Sequence, residues 1–152
     1  MNETLKLKGI YKFTLEDINT GAKRVFEYEN LIPTSGRTAI ASHLTNAVPV
    51  PSVLRANYTA LGTGGTPPAN ADTQLQTETF RKAIASETNS ANVAYMTAFY
   101  TATEVSGTFL EAGIFIAGTI TPNSGTLFSR VAINITKTLT ETLTIDYTVT
   151  IN

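Results

Sequence analysis

Cysteine and tryptophan are missing from this 152-residue chain, histidine occurs once, and Lys, Arg, Asp and Glu together make up only 15%. Without cysteine there is no disulfide framework, no thiolate zinc site and no cysteine nucleophile, so the fold is held by packing alone. No basic surplus exists either: 11 basic residues face 12 acidic ones, for a net charge of −1. A protein that tracks phosphates needs an excess of Lys and Arg, so nucleic acid is not an expected partner. Long apolar runs are absent, and Met1-Asn2-Glu3-Thr4-Leu5-Lys6 lacks the basic and apolar blocks of a signal peptide. The expectation is a soluble protein made in a cytoplasm, with no membrane partner.

The single imidazole limits the chemistry. A hydrolase triad would need His43 as its base, yet His43 falls in a helical stretch and no glycine-flanked serine elbow occurs. A histidine metal site fails for the same reason, since the carboxylates Glu16, Asp17, Glu27, Glu29, Glu78, Glu104, Glu111 and Asp146 are scattered without calcium-loop spacing. A glycosidase acid pair has no marker, and a sugar cleft without tryptophan loses its best aromatic platform. No catalytic residue, metal or cofactor is expected.

Threonine is abundant instead, with 27 copies, a β-branched bias that suits strands. Leu5, Leu7, Tyr11, Phe13 and Leu15 alternate along residues 4–15, and Val25, Phe26 and Tyr28 mark a second strand over 23–30. The turn formers Asp17 to Gly21 between them predict a hairpin. Thr34 to Leu44 offers hydroxyl N-caps, alanines and an Ile40/Leu44 pair, and predicts one helix over 34–46, ended by Val48-Pro49-Val50-Pro51. Further strands are predicted over 53–61, 80–88, 92–104, 108–117, 126–136 and 142–151, with a brief helical turn capped by Asp72 or Thr73 and running to Thr79. The last strand sets Leu143, Ile145, Tyr147, Val149 and Ile151 against Thr142, Thr144, Asp146, Thr148 and Thr150, a dry face and a wet one. About eight antiparallel strands and one short helix predict an all-β, jelly-roll-like β-sandwich. A single domain over 1–152 is expected, with an N-terminal hairpin (1–32), the helix (34–46) and the main strands (53–152).

Two local features stand out. Gly62-Thr63-Gly64-Gly65-Thr66 resembles a phosphate loop in composition, but no Gly-Lys-Ser/Thr follows and no βα units surround it. It is expected as an exposed loop, and Gly62, Thr63, Gly64, Gly65 and Asp72 are its candidate interaction residues. Glu111 stands inside the apolar run Phe109 to Ile116, where an unpaired charge would be costly. Arg81 and Arg130 are its candidate partners in a structural ion pair.

Several of these residues also carry a family resemblance. Tyr58-Thr59-Ala60-Leu61-Gly62-Thr63-Gly64, Asp72-Thr73-Gln74-Leu75 with Glu78 and Arg81-Lys82, Glu111-Ala112-Gly113-Ile114-Phe115, Leu127-Phe128-Ser129-Arg130 and Ile135-Thr136-Lys137 follow one another in order. Over Tyr58 to Ile151 this series resembles small virion structural proteins of tailed bacteriophages. The resemblance implies a non-enzymatic, self-associating β module on the particle exterior, commonly trimeric, with capsid or tail subunits as further partners and the virion as its location. Capsid decoration or cementing is favoured, because no long helical or repeat-rich shaft is present. The alternative is a fibre, collar or receptor- and glycan-binding tail module, with Tyr58, Tyr95, Tyr100 and the loop 119–125 as candidates for host contact. A carbohydrate-cleaving enzyme is the third class.

Overall fold

A computed structural model describes residues 4–45 and 53–152. Among them are nine strands and one helix: β1 (Leu7–Asp17), β2 (Lys23–Glu29), α1 (Thr34–Leu44), β3 (Ala56–Gly62), β4 (Glu78–Ala83), β5 (Ser86–Ser90), β6 (Val93–Tyr100), β7 (Gly107–Ile116), β8 (Thr126–Lys137) and β9 (Glu141–Ile151). They form two antiparallel sheets, one of five strands in the order β2-β1-β9-β6-β5 and one of four in the order β4-β3-β7-β8. The expected sandwich is the architecture. Its strand order, which the sequence leaves open, keeps each hairpin (β1-β2, β3-β4, β5-β6, β7-β8) within one sheet, and β9 fills the slot between β1 and β6.

The ninth strand comes from the stretch expected as one strand over 80–88. The chain leaves the four-stranded sheet after Ala83 and enters the other at Ser86, where the Ala85 N–H bonds the Thr97 carbonyl. A corner of this kind lets neighbouring residues serve both layers of a sandwich. The helical turn expected between Asp72 and Thr79 does not form. That stretch is irregular up to β4, and the Asp72 carboxylate accepts the Ala69 N–H instead of capping a helix. The strand expected over 92–104 ends at Tyr100, and Thr101 to Glu104 form a turn. Residues 46 and 48–51, the expected helix end and its proline breaker, lie outside the described residues.

Alternation builds the core as the sequence predicts. Tyr11, Phe13 and Leu15 of β1 and Leu143, Ile145, Tyr147 and Val149 of β9 are buried, whereas Ile151, at the strand's end, is exposed. Burying the four β9 side chains contributes on the order of 8 kcal/mol gross, at roughly 2 kcal/mol each. The aromatic centre is Tyr11, with ring centroids 5.8 Å from Phe13 and 4.5 Å from Tyr147. Its hydroxyl lies 2.8 Å from Ser129 Oγ, and Asn30 Nδ2 donates to both Ser129 Oγ and the Tyr147 hydroxyl. Desolvation raises the pKa of Tyr11, Tyr100 and Tyr147, so all three serve as neutral hydrogen-bonding groups. The β1-β2 turn forms as expected: Gly21 takes φ 71°, and Asp17 Oδ1 accepts the Asn19 and Thr20 N–H groups.

Helix α1 starts without the hydroxyl cap expected of it. Pro33 occupies the N-cap, the Thr34 N–H bonds the Asn70 carbonyl, and Ser35 Oγ donates to the Leu127 carbonyl. The helix lies on β8 through Gly36 and Ala39, which are buried, while Leu44 of the expected apolar pair is exposed. A Cβ at position 36 would come within 2.4 Å of the Phe128 carbonyl oxygen, so only glycine permits this approach.

Candidate functional site

The motif residues converge on the outer face of the four-stranded sheet. Antiparallel register lines up Arg81 (β4), Ala60 (β3), Gly113 (β7) and Arg130 (β8) in one row across all four strands. The two arginines are therefore three strand spacings apart, roughly 14 Å at about 4.8 Å each. They cannot share a carboxylate, and each meets its own.

Arg130 meets Glu111, which is wholly buried. Its Nε donates to Glu111 Oε2 at 2.9 Å, its Nη1 to Asp72 Oδ2 at 2.7 Å and its Nη2 to the Thr66 carbonyl at 3.0 Å. Glu111 also accepts three backbone N–H groups, from Gly64 (3.1 Å), Gln76 (2.9 Å) and Thr77 (2.7 Å). A buried carboxylate is tolerated when its lone pairs are filled in this way. Burial works against the charge of Asp72, but the Ala69 N–H and Arg130 outweigh it and hold that carboxyl below the ordinary aspartate value.

This geometry explains the glycine spacing. A Cβ at Gly62 would lie 2.6 Å from Glu111 Oε1 and 2.5 Å from the Thr77 carbonyl, and one at Gly64 would lie 2.5 Å from the same Oε1. Like a phosphate cradle, the glycine-rich stretch offers a backbone N–H to an anion, that of Gly64, and the anion is a side chain of the same protein. Gly62, Gly64 and Asp72 are drawn inward, while Thr63 and Gly65 are exposed.

Arg81 pairs with Glu78 rather than Glu111, which corrects half of the expected ion-pair assignment. Its Nε and Nη2 meet the two oxygens of Glu78, at 2.5 and 2.9 Å, with both side chains almost fully buried. Its Nη1 donates to the Thr119 carbonyl at 2.9 Å and Ser124 Oγ at 2.8 Å, and the guanidinium sits 4.6 Å above the Phe115 ring. Glu78 accepts the Asn123 N–H at 2.9 Å, so this second clamp fixes the loop 119–125. The sequence gives little sign of the pair, because residues three apart on a regular strand face opposite ways. A bulge resolves the conflict: Leu61 pairs with Phe80 but Gly62 with Glu78, leaving Thr79 extra.

Between the clamps Leu75 plugs the face, packed with Ala60, Phe115 and Leu127 in a small second core. A Cβ at Gly113 would come within 2.9 Å of Leu75, so the row needs its glycine. A third buried cation is Lys137. It is 1% exposed and donates to the Ala102, Val105 and Thr138 carbonyls, and burial lowers its pKa. Its only sequence signal is its place in the alternation of β8, where Val131, Ile133 and Ile135 face inward before it.

The other candidates fall elsewhere. His43 Nδ1 lies 2.8 Å from the Ala39 carbonyl of its own helix. Among the described residues no three His, Asp or Glu side chains cluster as a metal centre requires. Of the tyrosines considered for host contact, Tyr95 is exposed, Tyr58 is half-buried under Arg81, and Tyr100 is buried with its hydroxyl 2.6 Å from Thr59 Oγ1. Tyr100 therefore cannot touch a host. No protein-family model, no curated protein and no solved structure matches the chain.

Proposed function

We propose that this chain is a non-enzymatic structural protein of a tailed-phage virion, a self-associating β module that decorates and cements the capsid exterior. The observation that supports this reading is the use made of the residues that carry the resemblance. Gly62, Gly64, Asp72, Glu78, Arg81, Glu111 and Arg130 all go into the two clamps that hold loops 62–77 and 119–125 on the sheet. Pre-ordered loops suit a cement, since a contact made by a fixed surface loses little entropy on binding and repeats many times over a shell. Labelling intact particles with an antibody or gold tag against the protein, viewed by electron microscopy, tests the reading. Label over the head is the expected result, and no label on any particle overturns it.

A tail module that contacts the host is the second reading. It is favoured by Tyr95 and Phe99, exposed on the outer face of the five-stranded sheet and roughly 13 Å apart along β6, at about 3.3 Å per residue. Label confined to the tail, with host-cell binding lost in Tyr95→Ala, would select it.

A further inference from the structure

We infer that the free edge of β2 is a self-recognition strand, which pairs antiparallel with β2 of a second copy across a two-fold axis at Phe26. Among the described residues β2 is hydrogen-bonded to β1 alone, and its other side is a row of unpaired backbone groups. The other sheet edges are less suited to a partner. The β8 edge takes Leu31 opposite Arg130 and carries α1, β4 is flanked by the Lys82–Glu104 pair, and β5 is five exposed polar residues. Only β2 combines seven residues with an exposed Val25 and the part-buried Phe26 and Tyr28.

The order of its charges names the occupant. Lys23 and Arg24 stand at one end and Glu27 and Glu29 at the other. An antiparallel copy in full overlap sets Lys23 opposite Glu29 of the partner subunit, and Phe26 opposite its own equivalent on the axis. On the same face as Phe26, Arg24 comes opposite Tyr28 of the partner subunit, but its guanidinium is held by Glu141 and the Thr136 carbonyl of its own chain, so the end ion pairs and Phe26 carry the contact. Directly opposed ion pairs and aromatic pairs each favour a cross-strand contact. The competing arrangements are penalised. A parallel copy brings like charges together at both ends, and an axis moved to Glu27 sets that carboxylate against itself. The same charges that deter indiscriminate pairing thus admit one orientation and register. Lys23 and Glu29 are free to take new partners, since their present pairs with Glu16 and Lys8 are solvent-exposed.

The inference rests on the self-associating part of the proposed function and not on its location, so solution mass and particle labelling fail separately. Sedimentation equilibrium of the full chain, at concentrations up to millimolar, is the test, with circular dichroism to confirm that each variant folds. The wild type is expected to dimerise. K23E and E29K each turn two attractive pairs into two repulsive ones and should weaken dimerisation about tenfold. An equimolar mixture of K23E with E29K sets opposite charges together at both ends again and should restore the dimer as a heterodimer. A wild type monomeric at every concentration, a three-fold assembly, or a mixture no tighter than either variant alone overturns the inference.

Discussion

The two sheets solve the problem of a second face in opposite ways. The five-stranded sheet leaves its outer face to water, and β9 alternates accordingly: Leu143, Ile145, Tyr147 and Val149 are buried, and the threonines and Asp146 between them are half-exposed. The four-stranded sheet is covered on both faces, and its strands lose the alternation, with six consecutive buried residues from Glu111 to Ile116. Its cover is irregular chain, not helix, and irregular chain brings backbone polar groups that need partners. Glu111 and Arg130 supply those partners for one loop, Glu78 and Arg81 for the other. Buried charge in this protein therefore marks where a loop is laid on a sheet, whereas charge on the open sheet, such as the Lys23–Glu16 and Lys8–Glu29 pairs, stays in contact with water.

Breaking a clamp should have the largest effect. Glu111→Gln leaves Arg130 buried without its main counter-charge, a change that costs about 3–5 kcal/mol. For a chain of this size that lowers Tm by about 10 °C or more. A thermal melt no different from wild type would show that Glu111 and Arg130 do not support one another. Gly62→Ala, which drives a Cβ toward the Thr77 carbonyl and Glu111, should cost about 1–3 kcal/mol through overpacking, measured by urea denaturation. Asp72→Asn should be milder and pH-dependent. The Asp72 carboxyl is held below its ordinary value, so the unfolded chain binds the extra proton. Its stabilisation is complete above an unfolded pKa of about 3.9 and fades as pH falls through the lower folded value. The deficit of the variant should therefore be clear at neutral pH and shrink in acid; a deficit that grows on acidification would contradict the pairing.

How much of this can be read from the residues follows the same division. On the open sheet side chains alternate with period two, and β2 and β9 are visible in the sequence almost to the residue, as is the Gly21 turn, while β1 starts three residues later than its alternation, leaving Leu5 exposed outside it. On the covered sheet the pattern is a plain apolar run, which conveys burial but not what covers it. Glu111 could be recognised as paired because a charge in such a run must be, but choosing between Arg81 and Arg130 needs strand order, a long-range property. Glu78 was hidden by the Thr79 bulge, and the break that makes β4 and β5 separate strands by the lack of any turn residue between Ala83 and Ser86. The glycines at 62 and 64 were legible as a loop, yet their reason, the nearness of a carboxylate from a strand some fifty residues later, exists only in three dimensions.

The smallest effect sharpens the comparison most. Arg55 and Glu87 form the same bidentate fork as Arg81 and Glu78, with Nε and Nη2 donating to the two carboxylate oxygens at 2.7 and 3.0 Å. The difference is water, since the Arg55 side chain is 67% exposed and that of Arg81 2%. In water the pair gains little over its hydrated ions and is screened by salt, and losing one partner strands nothing in a dry interior. Glu87→Gln should therefore leave Tm within error of wild type at physiological ionic strength, while Glu78→Gln, which removes a negative charge from an equally well-formed but buried fork, should lower it by several degrees. Were the two variants to melt alike, fork geometry rather than burial would set the strength of these pairs, and the contrast between the covered and the open sheet would lose its physical basis.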